Sequence, residues 1–240
     1  MQPAISCTPI ATVSSPYKEK FAIPRQPGLV SAAKGHINFI GDANNPDLTR
    51  GLESFSHVWV IFSFHETAKQ GWKPLVRPPR LGGNKKTGVL ATRSTFRPNA
   101  IGMSVVKLDD IIWKNGQLSL IISGLDLLDN TPVLDIKPYI PYSDALPNAS
   151  AGFAEKAPTS NISVCYSESA QKSLNHFTKS HKTLAKVIEQ VLAQDPRPAY
   201  KQGKTDDSEY GMALYDLNIK WRMTSESEAL VIALENSNKD

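Results

Sequence analysis

The chain has 240 residues, of which 40% are hydrophobic and 21% charged, and its formal net charge is +4. This composition is ordinary for one or two globular domains, and every apolar run is far shorter than the ~20 residues that span a bilayer. Residues 1–4 carry no charged segment and no apolar one follows, so we predict no secretion signal and no membrane association. Cys7 and Cys165 have no metal-ligand spacing around them. We therefore expect a cytoplasmic protein without a metal, whose two cysteines are reduced core thiols.

In chain order, the first half alternates short apolar or β-branched runs with turn residues, and it contains no long helical pattern. The predicted strands are residues 5–13, 35–40, 57–65, 87–93, 101–113, 118–123 and 133–140, with helical turns within 46–53. Asn115-Gly116 predicts a tight hairpin turn, because both central positions of such a turn need a positive φ. Six or seven antiparallel strands are typical of a small barrel or sandwich.

In the second half of the chain the spacing of the apolar residues changes, and part of it becomes helical. Pro147 and Pro158 lie among small polar residues, so residues 147–160 are predicted to be a linker. A strand at 162–166, a helix at 169–193 and strands at 210–221 and 229–234 follow. We therefore predict a barrel domain over residues 1–146 and a small α+β domain over 161–240. His181 falls on the apolar side of the predicted helix, and we interpret it as structural.

One basic segment stands out against the rest of the chain. Residues 67–108 contain nine Lys and Arg and no acidic residue, so the remainder of the chain carries a net charge of −5. Prolines at 78 and 79 prevent a helix, and the Gly-Gly-Asn run at 82–84 permits a tight turn. Such a segment points to an anionic partner, with RNA favoured and a solvated loop as the alternative. From residue 147 onward the chain has 11 basic and 12 acidic residues, so the second domain is not a basic clamp.

Familiar catalytic signatures are absent from the sequence. It has no phosphate-binding P-loop, no Rossmann glycine pattern after a strand and no nucleophile elbow around a serine. The carboxylates Asp126, Asp129 and Asp135, together with the His65-Glu66 pair, suit acid–base work. Each of these residues alone is a weak signal, because loop aspartates usually form turns.

Several long stretches of this chain resemble the bacterial TrmO (TsaA-like) family. The stretches are 15–21 (Ser-Pro-Tyr-Lys-Glu-Lys-Phe), 24–26 (Pro-Arg-Gln), 77–103 with Ala-Thr-Arg-Ser at 91–94 and Arg-Pro-Asn at 97–99, 125–139, and 195–200 (Asp-Pro-Arg-Pro-Ala-Tyr). The resemblance covers nearly the whole chain. One departure is Ala100, where proline is common in the family, and we expect no functional cost from it.

The resemblance implies a mainly β fold, with a single-sheet antiparallel β-barrel followed by a small α+β C-terminal domain. It also implies a homodimer that uses S-adenosyl-L-methionine to methylate N6 of N6-threonylcarbamoyladenosine, 3′ of the anticodon in threonine tRNA. The cofactor contacts that carry over are Pro24, Arg25, Gln26, His65, Glu66, Arg93, Leu125, Asp126, Leu127 and Leu128.

The chemistry of the cofactor and the RNA assigns expected roles to these residues. Arg25 or Arg93 suits the cofactor carboxylate, and Glu66 and Asp126 suit its amino and hydroxyl groups. His65 and Asp135 are the candidate general bases. The predicted RNA contacts are Arg77, Arg80, Lys85, Lys86, Arg97, Arg197 and Tyr200. Two other interpretations stay open: a non-catalytic tRNA-binding or RNA-binding module, and a dimeric scaffold whose basic loop binds a protein.

Overall fold

The computed structural model describes residues 5–156, 158 and 162–237. Outside these ranges lie residues 1–4, for which the sequence predicts no secretion signal, and part of the predicted linker. The strands are β1 Ala11–Ser14, β2 Lys34–Phe39, β3 His57–Ser63, β4 Leu75–Val76, β5 Thr87–Gly88, β6 Ile101–Lys114, β7 Gln117–Ser123, β8 Pro132–Pro138, β9 Ser163–Tyr166, β10 Tyr210–Leu214, β11 Leu217–Ser225 and β12 Glu228–Asn236. The α-helices are α1 His65–Ala68, α2 Pro141–Asp144, α3 Glu168–Phe177 and α4 Leu184–Leu192. Within the described ranges, no helix has the length and apolar character needed to cross a membrane.

The first half of the chain forms a closed antiparallel barrel with the strand order β1-β2-β7-β6-β3-β8. Side chains alternate between the interior and the outside along each strand, as the pleat requires. In β3, for example, Val58, Val60 and Phe62 are buried while Trp59 and Ile61 are partly exposed. A register shift in the β6–β7 ladder marks a bulge in β6, which bends that long strand around the barrel. The predicted mainly β fold with a single-sheet barrel is confirmed.

The second half forms a four-stranded sheet in the order β10-β11-β12-β9, in which β9 runs parallel to β12. Helix α3 packs on β12, and both α3 and α4 bury apolar residues. Leu174, Ile188 and Trp221 belong to this packed core. The expected small α+β architecture of the C-terminal part is confirmed, while the exact domain boundaries stay a prediction.

The segment after β1 joins the two halves. Tyr17 forms a β-bridge with Leu214, and the Tyr215 N–H donates to the Pro16 carbonyl over 2.7 Å. The Ala213 N–H donates to Glu19 Oε1 over 3.0 Å. Farther along the chain, the Ala32 N–H donates to the side chain of Gln190 in α4 over 2.9 Å. These contacts seat the C-terminal sheet and helix against the barrel.

Three predicted elements differ from the structure. The strand at 87–93 shrinks to β5 followed by a 3-10 turn at Val89–Ala91, because Arg97 donates to two backbone carbonyls of this stretch and closes it into a turn. The helix at 169–193 breaks between α3 and α4, where six polar residues lie and Ser and Thr hydroxyls bond to preceding carbonyls. The strand at 210–221 is a hairpin that turns at Tyr215, whose φ is +57°.

Smaller differences concern the first strand, the end of β3 and the cysteines. The predicted strand at 5–13 is confined to β1, and His65 begins α1 after β3 has ended. Cys7 and Cys165 are exposed, so the expectation of core thiols is wrong. His181 is tied to Asp216, its Nε2 lying 2.7 Å from Oδ1, and its ring stacks on Tyr215. This supports its structural interpretation.

Candidate functional site

A cavity of about 590 Å³ lies where β3 ends and β6 begins. Its walls come from the loop after Lys20, from α1, from residues 92–97 and from the loop after β7. The predicted cofactor residues that line it are Pro24, Arg25, Gln26, His65, Glu66, Arg93, Asp126 and Leu128. Four segments that are distant in sequence therefore meet at one cavity.

Three of the predicted residues lie elsewhere. Leu125 and Leu127 are buried in the barrel core, where they anchor the loop that carries Asp126. Asp135 is exposed on β8, paired with Ile61, and does not line the cavity. Its position removes the geometric basis for Asp135 as a general base.

Two glycines hold the loops of the site together. The Gly28 N–H donates to the Gly124 carbonyl over 2.7 Å, and the Gly124 N–H donates to the Ala33 carbonyl over 3.0 Å. Both glycines have positive φ, of +82° and +70°, which other residues rarely adopt. The loop that carries Arg25 and the loop that carries Asp126 are thus tied directly to each other.

Asp126 is the most perturbed acid of the cavity. Burial raises its pKa to about 6, and the Ser104 hydroxyl and the Arg93 guanidinium offset that effect only in part. Its Oδ1 is buried and accepts no hydrogen bond from the residues that the structure describes. A buried acceptor without a partner is costly, so a ligand that donates a hydrogen bond there would be favoured.

Arg93 is held by a turn and not by a strand. Thr92 Oγ1 accepts from the Ser94 N–H over 3.2 Å and donates to the Val89 carbonyl over 2.8 Å. Arg93 itself donates from Nη1 to Gln26 Oε1 at the cavity wall. The guanidinium is therefore aimed at the cavity and keeps donors free for a ligand.

His65 and Glu66 stand side by side at the start of α1. His65 Nε2 lies 3.5 Å from Glu66 Oε1, with the imidazole mostly covered and the carboxylate mostly exposed. The pair therefore places an imidazole in the cavity and a carboxylate at its rim. The described residues contain no group of three His, Cys, Asp or Glu that could hold a metal ion.

The sequence reasoning missed part of the lining. The missed residues include Lys20, Trp59, Phe62, Phe64, Met103, Ser104 and Thr131. Ser104 carries a usable signal, since it is the one hydroxyl among the buried positions of β6, beside Gly102, Val106 and Leu108. The others resemble ordinary strand residues.

The predicted RNA contacts separate into two groups. Arg77, Arg80, Lys85 and Lys86 are exposed on the basic loop, and Tyr200 is 71% exposed on the C-terminal domain. Arg97 is half-buried, and its guanidinium donates to the Thr92 carbonyl over 2.7 Å.

Arg197 is fully covered. Its Nε and Nη2 each lie 2.7 Å from a carboxylate oxygen of Asp195, and its Nη1 donates to the Lys204 carbonyl. Direct RNA contact by Arg197 conflicts with this burial, so we withdraw that prediction.

The fold and the cavity together define a ligand-binding β-barrel protein with a basic loop beside its site. The family model of the tRNA-methyltransferase O N-terminal domain matches residues 12–145, and that of the TrmO C-terminal domain matches residues 159–237. The chain therefore belongs to the TrmO family of tRNA methyltransferases, and the resemblance seen in the sequence is confirmed.

Individual relatives agree over nearly the full length. A tRNA (adenine(37)-N6)-methyltransferase of Escherichia coli is 50% identical, with 94% of this chain and 96% of that protein covered. A putative S-adenosylmethionine-dependent methyltransferase of Pseudomonas aeruginosa is 48% identical, with 90% and 91% covered. A crystal structure of TrmO from Pseudomonas aeruginosa has a TM-score of 0.81 at 38% identity and covers 98% of this chain and 100% of that chain.

Proposed function

We propose that the chain is an S-adenosyl-L-methionine-dependent tRNA methyltransferase that methylates N6 of N6-threonylcarbamoyladenosine, 3′ of the anticodon in threonine tRNA. The observation that carries the proposal is a pair of opposite charges in one cavity, Arg93 and Asp126, whose buried Oδ1 accepts no hydrogen bond from the described residues. The amino-acid end of the cofactor carries both a carboxylate and an ammonium group. A guanidinium and a buried carboxylate complement those two groups.

Residues of three loops would hold the cofactor. Arg93 and Arg25 offer planar donors for the carboxylate, and Asp126 offers an acceptor for the ammonium or a hydroxyl group. When bound, S-adenosyl-L-methionine supplies an electrophilic methyl group on a sulfonium sulfur. Phe62 and Phe64 form an edge-to-face pair in the cavity wall, their centroids 5.2 Å apart, and give that wall an apolar surface.

The chain also offers a proton acceptor. The nucleophilic nitrogen of the modified base shares its lone pair with a carbonyl, so loss of its proton assists the transfer. We assign His65 to take this proton, because its imidazole lines the first cavity. Asp135 has no such position.

The basic loop is the proposed RNA surface. Arg77, Lys85 and Lys86 are exposed, lie in the acid-free segment and can neutralise phosphates of the anticodon stem–loop. The RNA and the enzyme would meet in the cytoplasm.

We further propose a homodimer whose interface is the outer face of β3 and β6. Trp59, Ile61, Ile101, Met103 and Val105 alternate outward there, and Met103 is 57% exposed. A contiguous apolar face of this kind favours a partner. Because Trp59, Ile101 and Met103 also line the cavity, a second copy would complete its wall.

One experiment separates these possibilities. Calorimetric titration with S-adenosyl-L-methionine should give saturable binding, and labelled methyl groups should reach threonine tRNA that carries the threonylcarbamoyl modification. The same tRNA without that modification should take up none. RNA binding without cofactor binding would instead favour a non-catalytic RNA-binding module.

A further inference from the structure

A second cavity, of about 300 Å³, lies at the junction of the barrel and the C-terminal domain. One wall is the loop at 20–25 with Pro79 of the basic segment. The other wall is the end of α4 and the turn that follows it, including Pro196 and Pro198. Its size is at the lower end of small-ligand sites and suits a single planar group.

The second cavity adjoins the first. Lys20, Ile23, Pro24 and Arg25 line both of them. A polymer with one unit in the first cavity can therefore place a neighbouring unit in the second without leaving the protein surface.

The walls combine flat apolar groups with positive charge. Phe21 is 51% exposed, and Lys20 Nζ lies 5.2 Å from the centroid of its ring. Pro79, Pro196 and Pro198 add rigid apolar surface. Aromatic faces beside cations are the usual means by which proteins stack an unpaired base and hold its phosphate.

Arg25 and Asp195 set the charge at this junction. The Asp195 carboxylate partly offsets a lowering of the Arg25 pKa that is caused by burial and by Arg80. Both oxygens of Asp195 already accept hydrogen bonds from Arg197. Lys20 and Arg25 line the cavity, and both carboxylate oxygens of the nearby Asp195 are already paired with Arg197.

The Asp195–Pro198 turn is held by side-chain hydrogen bonds to its own backbone. Asp195 has a φ of +47°, and Gln202 Nε2 donates to the carbonyls of Asp195 and Arg197 over 2.7 and 3.2 Å. Arg197 also lines this cavity, but its guanidinium is held by Asp195 and the Lys204 carbonyl, so it fixes the wall that presents Pro196 and Pro198.

We propose that this second cavity binds one unpaired nucleotide of the RNA, adjacent in the chain to the base that is modified. The base lies against Phe21 and the prolines, and its phosphate lies on Lys20. The proposal rests on the proposed function for the identity of the RNA, and it assigns the cavity a role in recognition and not in chemistry.

The test measures binding of a labelled threonine-tRNA anticodon stem–loop by fluorescence anisotropy, beside cofactor binding by calorimetry. Phe21→Ala should weaken RNA binding at least tenfold and leave cofactor affinity within twofold, whereas Phe21→Tyr should restore RNA binding. Trp113→Ala is the matched control, because Trp113 is 52% exposed and lines neither cavity. Lys20→Ala should reduce the log–log salt slope by roughly 0.7 to 0.9, and Phe21→Ala should leave the slope unchanged.

Abasic substitutions identify the bound nucleotide. At one of the two neighbours of the modified base, an abasic site should weaken binding to the parent protein and have no further effect on Phe21→Ala. The proposal would be overturned if Phe21→Ala bound the RNA within twofold of the parent. It would also be overturned if the loss from Phe21→Ala and the loss from an abasic site were additive at both neighbours of the modified base. If Phe21→Ala behaves as expected but the parent transfers no methyl group, only the proposed function fails. If the parent binds no stem–loop, both fail.

Discussion

Arg93 and Asp126 are the two side chains on which the cofactor assignment depends most. They reach one cavity from different loops, and they carry opposite charges in a site that is partly closed to solvent. Hydrogen bonds to charged groups are stronger than neutral ones, so each residue gives a measurable effect when it is changed.

Replacing Arg93 tests the carboxylate contact. Arg93→Ala should lower S-adenosyl-L-methionine affinity at least tenfold, because one charge-assisted contact of about 1.5–3 kcal/mol is lost. Arg93→Lys should not restore it, since an ammonium group lacks the planar fork of a guanidinium. Calorimetry on both variants measures this, with Lys172→Ala on α3 as a surface control. Cofactor affinity within twofold of the parent for Arg93→Ala would show that Arg93 does not hold the cofactor.

Asp126 predicts a pH dependence of cofactor binding. Its pKa is raised to about 6, so the carboxylate is largely protonated at pH 5 and ionised at pH 7. Because only the ionised form complements a cationic group, affinity should fall about tenfold from pH 7 to pH 5. Asp126→Asn should bind more weakly at pH 7 and lose this dependence. Equal pH profiles for the two proteins would refute the role of Asp126.

At the scale of an element, β6 matters because it passes directly under the site. Gly102 lies in β6 against the Phe62 and Phe64 pair. A Cβ at this position would overlap the Phe62 ring and lie 2.8 Å from Phe64 Cζ. The absence of a side chain at 102 is therefore what allows the two rings to pack in the cavity wall.

Gly102→Ala should destabilise the protein by about 1–3 kcal/mol through overpacking, which lowers Tm by several degrees. It should also weaken cofactor binding, because the displaced rings enter the cavity. Gly88→Ala is the control, since nothing lies within 4 Å of its Cβ position and its φ is negative. Thermal unfolding of both variants checks the prediction, and equal Tm values would contradict it.

The basic loop predicts a salt dependence. The double change Lys85→Ala with Lys86→Ala removes two exposed cations, so the log–log slope of RNA affinity against salt should flatten by roughly 1.4 to 1.8. Cofactor affinity should not change, because neither lysine lines the first cavity. An unchanged slope would place the RNA surface elsewhere on the molecule.

At the scale of the whole molecule, the barrel and the C-terminal domain share one segment. The chain around Tyr17 bonds to Leu214 and Tyr215 on one side and to Asp129, next to the cofactor loop, on the other. The C-terminal domain therefore contacts the same stretch of chain that supports the site.

The proposed homodimer gives a prediction at this scale. Val105→Asp places a charge in the outer apolar face of β6, at a residue that lines neither cavity, so light scattering should show a monomer where the parent is a dimer. Circular dichroism checks that the variant remains folded. Should the parent itself scatter as a monomer at micromolar concentration, the dimer proposal is wrong.

The sequence by itself determined the strands of the barrel, the change to a helical pattern in the second half and the family. Alternating burial in β3 and β6 and the Asn115-Gly116 turn are local properties. The first follows from the alternation of residue types along a strand and the second from one dipeptide, so both can be predicted from the sequence. Rare stretches such as residues 24–26 and 91–94 also placed Arg25, Gln26 and Arg93 among the expected cofactor contacts before any geometry was known, and all three line the cavity.

Only the tertiary structure decided which of these residues meet and what each can do. The burial that raises the pKa of Asp126, the exposure of Asp135 and the burial of Arg197 depend on neighbours from distant segments. The turn that aims Arg93 likewise depends on a side chain four residues later, and the second cavity exists only because two domains pack against each other. Desolvation and packing act through space, so a local pattern in the chain does not encode them.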